Sequence, residues 1–524
     1  MLAPLDPVAC AALADDLRDA DYRSDRLREA WGVSADDAIS RGMRIVAERA
    51  LGGRTDPLAV LGRLFVLGLA QDTGSVAAAL PRAGVTGLVD LGLAVDEGRS
   101  IRPLVLLRPQ SFVDDSGEGE WWIASDLDET ALQGALPESH VLGVGGASLT
   151  LAGLQLPVDA ASGLDIGAGC GIQSLRARRN VDHVVATDIS ERALWFTRLN
   201  ALLNGVDRIE TRFGSLFDPV EGEVFDRIVS NPPFVITPRV DGVPAYEYRD
   251  GGMVGDALVE AVVSGVGAHL ASGGVAQLLG NWETRDGRDG LARVRDWVES
   301  SSVPLDAWVI EREALDPLSY AELWIRDGGT LPGSPAFAAL VDAWLHDFED
   351  RGVTGVGFGY VLLRRPPSGD APTLARYERV GTSLGSRALG GHLAQALAVH
   401  DRLDVLDDAQ LAASVLLVTA DVTEARHHVP GAEEPTVIEL RQGGAFSRTL
   451  TVDPGLAALV GACDGDLAVG VLSDAIAHLL DVDPHALLAD LLPKVRELLF
   501  SGFLVFAASE GVPSEGGGGV GSAG

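Results

Sequence analysis

The sequence predicts an α/β fold with a parallel, doubly wound sheet, and three observations lead to that prediction. Between residues 141 and 366, short apolar runs alternate with helical stretches, which is the pattern of strands joined by crossover helices. A glycine-rich turn follows the first apolar run, and an Asn-Pro-Pro-Phe turn follows the fourth. Both turns stand at the carboxyl ends of predicted strands, where open α/β sheets bind their ligands.

Seven strands are predicted in this region, most of them short apolar runs bounded by polar or turn-forming residues. Their ranges are 163–166, 183–187, 210–213, 227–230, 274–279, 307–310 and 357–363. Helices are predicted at 173–179, 191–204, 255–269, 291–299 and 335–349. A proline pair at 366–367, followed by Ser-Gly, ends the last strand and predicts a domain boundary.

Mainly helical segments flank the predicted sheet. Near the start, short helices lead to strand-like runs at 88–95 and 101–107, which is the order of a winged helix. Near the end, three predicted helices lead to the run 498–505, which resembles 88–95 in its central glycine and final valine. We therefore predict winged-helix-like modules on both sides, with domains at 1–110, 111–366 and 367–510 and a disordered Gly/Ser-rich tail at 511–524.

Composition and charge restrict the class of function. The net charge of −34 disfavours non-specific nucleic-acid binding, which rests on neutralised phosphates. No apolar run approaches the roughly twenty residues that cross a bilayer, and the first residues lack a signal-peptide pattern. The three cysteines are far apart and odd in number, so no disulfide framework is expected. These observations favour a cytoplasmic protein with no membrane partner.

The first turn, Gly167-Ala168-Gly169-Cys170-Gly171, follows an apolar run that ends in Asp165-Ile166. Glycines allow the backbone to turn tightly and to lie against a ligand without an intervening Cβ. The alternatives are a tight turn without a ligand and the similar turn of dinucleotide-binding enzymes.

An acidic residue follows the next predicted strand, in Asp188-Ile189, about twenty residues after the glycine turn. A carboxylate in that place can accept hydrogen bonds from both hydroxyls of a ribose. The alternative is that Asp188 caps the helix that follows.

The most specific signal is Asn231-Pro232-Pro233-Phe234, directly after the strand 227–230. The prolines stop the strand and stiffen the turn, so the Asn231 side chain is held at the sheet edge. The alternative is a rigid turn in which the asparagine only bonds its own backbone.

Together these motifs resemble the class I S-adenosylmethionine-dependent amino-methyltransferases that carry an Asn-Pro-Pro-Phe turn. The likeness covers about residues 141–366 and includes the release-factor glutamine and ribosomal-RNA amino-methyltransferases. It implies a Rossmann-like seven-stranded sheet and S-adenosylmethionine as cofactor. The residues it implies for the cofactor are Asp165, Gly167, Ala168, Gly169, Gly171, Asp188, Ile189, Ser215, Leu216 and Asn231. The family usually has an acidic residue where Ser215 stands, so the adenine contact is expected from the serine oxygen or from the Leu216 backbone.

The resemblance also implies a catalytic role for Asn231, Pro232, Pro233 and Phe234. The Asn231 side-chain oxygen and the Pro232 carbonyl would each accept one hydrogen of a planar NH2 group, which aims the nitrogen at the methyl group. Phe234 would stack on the planar group. The stretch 141–148 is expected to cover the methionine end of the cofactor, and Tyr248 or Arg249 to border the target pocket or belong to a capping loop.

The identity of the substrate stays open between two planar NH2 groups. Phe234, where glutamine enzymes commonly carry tyrosine, favours a nucleobase amine, whereas the net charge favours a protein glutamine amide. We expect an N-methyltransferase that acts on a macromolecule, either protein or RNA or DNA, without a metal. The alternatives are a winged-helix regulator that senses S-adenosylmethionine and an N-methyltransferase of small molecules.

Overall fold

The computed structural model describes residues 2–114, 117–132, 136–137, 139–240, 242–243, 247–367, 370–381, 389–431 and 433–507, without the side chains of 114, 247 and 248. The described residues form two compact units, the first ending at Gly391 and the second starting at His392. The predicted tail at 511–524 lies outside the described residues, as does the side chain of Tyr248.

The first unit begins with a helical segment and a small antiparallel sheet of order β1-β3-β2. Helix α1 starts where Pro7 occupies its first turn and the Asp6 carboxylate accepts the N–H of Val8 at 2.9 Å. The winged-helix assignment stays a prediction. The elements are α1 (Pro7–Asp19), α2 (Ser24–Trp31), α3 (Val33–Ile39), α4 (Ile45–Leu51), α5 (Pro57–Leu61) with a π-helical turn (Gly62–Val66), β1 (Gln71–Asp72), α6 (Thr73–Ala79), α7 (Gly84–Asp90), β2 (Ala94–Asp96) and β3 (Ser100–Pro103).

A long hairpin joins this segment to the central sheet. It pairs β4 (Val105–Asp114) with β5 (Gly117–Asp126) in antiparallel register. The short helices α8 (Glu129–Leu132) and α9 (Gly146–Leu154) follow. The boundary predicted between residues 110 and 111 falls inside β4.

The central sheet has eight strands in the order β13-β11-β12-β10-β9-β6-β7-β8. All its pairings are parallel except those of β12 with β10 and β11. The strands are β6 (Ala160–Ile166), β7 (Val181–Asp188), β8 (Ile209–Phe213), β9 (Phe225–Ser230), β10 (Leu270–Arg285), β11 (Asp306–Leu315), β12 (Val353–Arg364) and β13 (Ala375–Arg379). The helices between them are α10 (Ile172–Ala177), α11 (Glu191–Leu203), α12 (Glu247–Asp250), α13 (Ala257–Gly265), α14 (Gly290–Glu299), α15 (Pro317–Asp327) and α16 (Pro335–Asp350), with 3-10 turns at Asp218–Val220 and Val266–His269.

The seven predicted strands all form, but the predicted count was wrong because β13 is an eighth strand. The proline pair at 366–367 ends β12, as expected, and the chain then returns to the sheet edge beside β11. The Ala307 N–H donates to the Leu374 carbonyl at 2.8 Å, where the added strand begins. None of the five residues of β13 has a buried side chain, and no apolar run in the sequence indicates a strand there.

The helical segment and the sheet share one hydrophobic core within the first unit. Leu13, Leu17 and Phe65 from the helical segment belong to the same buried cluster as Leu175 of α10 and Phe196 of α11. Burial of this apolar surface fixes the helical segment against the helices that start at the glycine turn. The glycine turn is therefore supported by one hydrophobic core, which the helical segment shares with α10 and α11.

The second unit contains helices and two three-stranded sheets, ordered β18-β14-β19 and β15-β16-β17. Its elements, listed with the helix that leads into it, are α17 (Gly390–Val405), α18 (Asp408–Ala412), β14 (Val415–Val418), β15 (Val422–His427), β16 (Val437–Gln442), β17 (Thr449–Val452), α19 (Pro454–Ala462), β18 (Asp464–Ala468), α20 (Val469–Leu480), α21 (Pro484–Phe500) and β19 (Leu504–Phe506). Within the described ranges of both units, no helix combines the length and apolarity needed to span a bilayer.

Candidate functional site

One pocket collects most of the residues that the sequence singled out. It opens at the carboxyl ends of β6, β7 and β9, as expected for an open α/β sheet. Asp165, Gly171 and Phe234 are not among its lining residues. The predicted residues that line it are Gly167, Ala168, Gly169, Asp188, Ile189, Ser215, Leu216, Asn231, Pro232 and Pro233.

The glycine turn is fastened to the neighbouring strand and needs its glycines for two different reasons. The N–H groups of Gly167 and Ala168 both donate to the Thr187 carbonyl, at 2.9 and 3.0 Å. All three glycines have positive φ, at +71°, +56° and +82° for 167, 169 and 171. A Cβ on Gly167 or Gly169 would meet no atom within 4 Å, whereas one on Gly171 would lie 3.0 Å from Thr197. Gly171 therefore permits the close packing of α10 on α11, whereas Gly167 and Gly169 leave this part of the pocket wall without side chains.

Asp188 lies beside the glycine turn at the end of β7. One of its oxygens accepts the N–H of Gly169 at 3.0 Å, and the other accepts the N–H of Ser190 at 2.8 Å. The cap of α11 is Ser190, whose hydroxyl accepts the N–H of Ala193 at 3.3 Å. Asp188 thus supports the turn from the pocket side, while Ser190 performs the capping role that was the alternative for it.

Asp165 is fully buried behind the turn, within β6. Its Oδ2 accepts the Ser174 hydroxyl at 2.6 Å, and among the described residues its buried Oδ1 has no hydrogen-bond partner. Burial raises the pKa of this carboxyl to about 7, against the smaller lowering effect of Ser174. A buried acceptor without a partner is suited to a ligand group or a water that reaches it through the turn.

Ser215 and Leu216 form the wall beyond β8. The turn is set by the N–H of Gly214, which donates to the Asp188 carbonyl at 3.0 Å, and by Leu216, whose φ is +49°. Ser215 and the Leu216 backbone are both at the pocket surface. The predicted contact with adenine at this place stays a prediction.

Asn231 stands at the end of β9, next to the glycine turn. Strands β6 and β9 pair through Ile166 and Ser230, and the Ser230 hydroxyl donates to the Ile166 carbonyl at 2.9 Å. The Asn231 Nδ2 donates to the Ser148 hydroxyl oxygen at 3.4 Å. Its Oδ1 is buried and has no partner among the described residues. Asn231 lines the pocket, so this unpaired oxygen is an acceptor within hydrogen-bonding range of the wall for a donor that enters there.

The turn after Asn231 is braced from behind. Gly251, with φ of +56°, lies so close to Pro233 that a Cβ there would be 3.0 Å from the Pro233 carbonyl oxygen. The N–H of Val235 donates to the Arg249 carbonyl at 2.9 Å. Arg249 is buried and donates to the carboxylate of Asp250 at 3.0 Å, so it supports the loop from inside.

Phe234 does not line the pocket. Its ring lies against that of Trp324, with centroids 6.5 Å apart at 70° in an edge-to-face arrangement. The stacking role that the resemblance implies for Phe234 stays a prediction.

Further lining residues come from separate segments of the chain. Val141, Leu142 and Ser148 line the pocket, within the stretch expected to cover the methionine end. Gln173 of α10 donates to the Ser148 carbonyl at 2.7 Å and so holds α9 at the pocket. His140 is buried there, and burial lowers its pKa. Gln173 could not be predicted from the sequence, because it belongs to no local motif and its role depends on the neighbouring helix α9.

The arrangement fits S-adenosylmethionine. A glycine turn without side chains at Gly167 and Gly169 lies beside the Asp188 carboxylate, and Asp165 and Asn231 each have a buried oxygen with no partner among the described residues. The contact of Asp188 with the ribose and that of the turn with the methionine part stay predictions.

Comparisons with known proteins agree with this arrangement. Residues 145–245 match the family model described as "Methyltransferase small domain", and residues 19–104 match a "Domain of unknown function". The chain is 35% identical over 124 residues to the release factor glutamine methyltransferase of Geobacter sulfurreducens, covering 22% of this chain and 43% of that protein. It is 32% identical over 161 residues to the Xylella fastidiosa protein of the same name, covering 29% and 56%.

The chain thus spans about half the length of the curated relatives that it matches. Among solved structures, the ribosomal protein L11 methylase of Lactobacillus delbrueckii subsp. bulgaricus aligns at 17% identity over 42% of this chain and 77% of that one, with a TM-score of 0.24. A TM-score this low does not show that the two folds are alike. The family model spans residues 145–245, which include the glycine turn, Asp188 and the Asn231 turn, and together with the named relatives it indicates an S-adenosylmethionine-dependent methyltransferase domain in this part of the chain.

Proposed function

We propose that this protein transfers a methyl group from S-adenosylmethionine to the side-chain amide nitrogen of a glutamine in a protein substrate. The single observation that carries the proposal is the Asn231 side-chain oxygen, which is buried, lacks a partner among the described residues, and belongs to a residue of the pocket wall. Leaving a buried acceptor unpaired costs free energy, on the order of 1–3 kcal/mol. A substrate NH2 group would remove that cost.

The bracing of the turn supports a positioning role for it. Ser148 holds the Asn231 amide nitrogen, which leaves the oxygen as the free end of the side chain. Gly251 and the Arg249 carbonyl hold the backbone that follows, so the acceptor is fixed before substrate binds. Preorganised acceptors and donors of this kind raise the rate without a reorganisation cost at the moment of reaction.

The reaction needs orientation more than a strong base. S-adenosylmethionine supplies a methyl group bound to a positively charged sulfur. Asn231 Oδ1 and the Pro232 carbonyl would each accept one N–H of the glutamine amide, which directs the nitrogen lone pair at the methyl carbon. A nitrogen–carbon bond forms as the sulfur–carbon bond breaks, and its electron pair stays on sulfur. The methylated amide nitrogen then releases one proton to water, and S-adenosylhomocysteine leaves.

A protein substrate is favoured over a nucleobase. Two of the sequence relatives are named as release factor glutamine methyltransferases, and the net charge of −34 opposes binding to phosphates. The nucleobase and regulator alternatives gain no support from these relatives. A pure sensor would not need the unpaired Asn231 oxygen.

Transfer of labelled methyl from S-adenosylmethionine into a lysate that lacks the native protein tests the proposal. After the reaction, samples are digested with protease, ribonuclease or deoxyribonuclease. The proposal predicts that protease alone releases the label from macromolecules, and that Asn231→Ala gives no label while still binding S-adenosylhomocysteine. Label released by a nuclease would contradict the choice of a protein substrate.

A further inference from the structure

Two asparagines, Asn200 of α11 and Asn204 at its C-cap, form hydrogen bonds with the free edge of strand β5 as a neighbouring strand would. Asn204 accepts the Trp122 N–H at 2.9 Å and donates to the Trp122 carbonyl at 2.8 Å. Asn200 does the same with Ala124, at 2.7 and 2.9 Å. A side-chain amide offers the same donor and acceptor as a peptide group, so the pair continues the ladder on the side of β5 opposite to β4.

The two asparagines differ in the acceptor to which the second N–H of the side-chain amide donates. That of Asn204 donates to the Asn200 carbonyl, at 2.7 Å, inside the helical turn. That of Asn200 donates to the carbonyl of Cys170, at 2.8 Å, in the glycine turn. Asn200 is fully buried, so both amide hydrogens and the oxygen are committed to these partners.

A second residue of α11 holds the same turn. The Thr197 hydroxyl donates to the Gly169 carbonyl at 3.1 Å. Two successive carbonyls of the turn, those of 169 and 170, therefore face α11 instead of the pocket. On the same side, Gly171 packs closely against Thr197.

Strand β5 also supports the opposite wall of the pocket. At its last residue, Asp126, the N–H donates to the Val141 carbonyl at 3.1 Å, and the carboxylate accepts the Val141 N–H at 2.9 Å. Val141 lines the pocket. Strand β5 thus contacts Val141 of one wall directly, and Asn200 connects it to the glycine turn of the other wall.

We propose that Asn200 is a positioning residue for the cofactor, which fixes the Cys170 carbonyl and thereby the glycine turn relative to β5. The inference rests on the proposed function only in taking S-adenosylmethionine as the ligand of this pocket. It assigns to the hairpin, and to the helical segment packed around it, a part in shaping the cofactor site. Positioning of this kind acts on cofactor affinity and not on the chemical step.

Three variants of the full chain separate the strand contact from the turn contact. Asn204→Ala loses the two hydrogen bonds to Trp122 of β5 and the one to the Asn200 carbonyl. Thr197→Val loses only the hydrogen bond to the Gly169 carbonyl. Asn200→Ala loses its hydrogen bonds to Ala124 of β5 and to the Cys170 carbonyl of the turn. Calorimetric titration with S-adenosylhomocysteine should show about tenfold weaker binding for Asn200→Ala, the effect of roughly one buried hydrogen bond. Binding by Thr197→Val should weaken in the same direction, and that by Asn204→Ala should stay within about twofold of the wild type.

Thermal unfolding in the same samples supplies the structural readout. Asn200→Ala and Asn204→Ala should both lower the melting temperature, because each loses the same pair of bonds to β5. Should Asn200→Ala fail to fold, the comparison of Thr197→Val with Asn204→Ala carries the test, because Thr197→Val loses a contact with the turn and Asn204→Ala loses only contacts outside it. Equal affinity losses in the 200 and 204 variants, or wild-type affinity in the 200 variant, would overturn the inference. Absence of binding in the wild type would overturn the proposed function instead.

Discussion

Replacement of Asp165 by asparagine should remove a pH dependence from the stability of the first unit. The Asp165 carboxyl is fully buried, and burial raises its pKa from 3.8 to about 7. In the unfolded chain the same carboxyl ionises near pH 4. Between these two pKa values, the folded protein holds a proton that the unfolded chain has released.

The sign and the size of the effect follow from this difference. A state that binds more protons is favoured at low pH, so this carboxyl stabilises the fold below pH 4 and that stabilisation is lost as the pH rises to about 7. The slope is about 1.4 kcal/mol per pH unit well below pH 7 and falls as the folded carboxyl ionises, which gives about 3 kcal/mol between pH 5 and pH 8. Above about pH 8 both states are ionised, and the difference stays constant.

Urea unfolding at pH 5, 6, 7 and 8 measures the effect, with tryptophan fluorescence as the signal. All nine tryptophans lie in the first unit, so the signal reports that unit. The free energy of unfolding of Asp165→Asn, relative to that of the wild type, should rise by about 3 kcal/mol from pH 5 to pH 8. A difference that is the same at every pH would refute the reasoning. Ser174→Ala, which removes the hydroxyl that lowers this pKa, should move the window to higher pH.

Three further predictions concern the pocket. Asp188→Ala should weaken cofactor binding about a hundredfold in calorimetry, through loss of two charge-assisted hydrogen bonds to the ribose, and unchanged affinity would contradict that role. Asn231→Ala should lower kcat by about 10²–10³-fold with cofactor affinity retained, and an equal loss of affinity would contradict the division of roles. Gly171→Ala should cost about 2 kcal/mol more in urea unfolding than Gly205→Ala, because both have positive φ but only 171 faces Thr197; equal costs would contradict this.

The sequence was sufficient for the strands whose side chains are buried. The runs 163–166 and 227–230 lie inside β6 and β9, and their apolar pattern comes from burial between helices on both faces. Strand β13 could not be found in this way, because its side chains are half-exposed and its position depends on pairing with β11. A proline pair identifies the end of a strand but does not show whether the chain leaves the sheet.

The residues of the site likewise fall into those that local sequence motifs predicted and those that they did not. Local motifs located Gly167, Asp188 and Asn231, since each stands at a strand end where backbone geometry limits the choice of residue. Gln173 and Asn200 have no such motif, because their roles depend on segments brought near by the fold. Gly171 was expected at the cofactor, whereas its contact is with Thr197.

The chemical form of the transferred methyl group tests the central claim most directly. Labelled protein product is hydrolysed in acid, which cleaves the bond between a carbonyl carbon and its amide nitrogen. If the methyl group is on a glutamine amide nitrogen, the label is recovered as methylamine, and Asn231→Ala yields none. Label recovered on lysine, arginine or histidine, or on a nucleobase, would contradict the account.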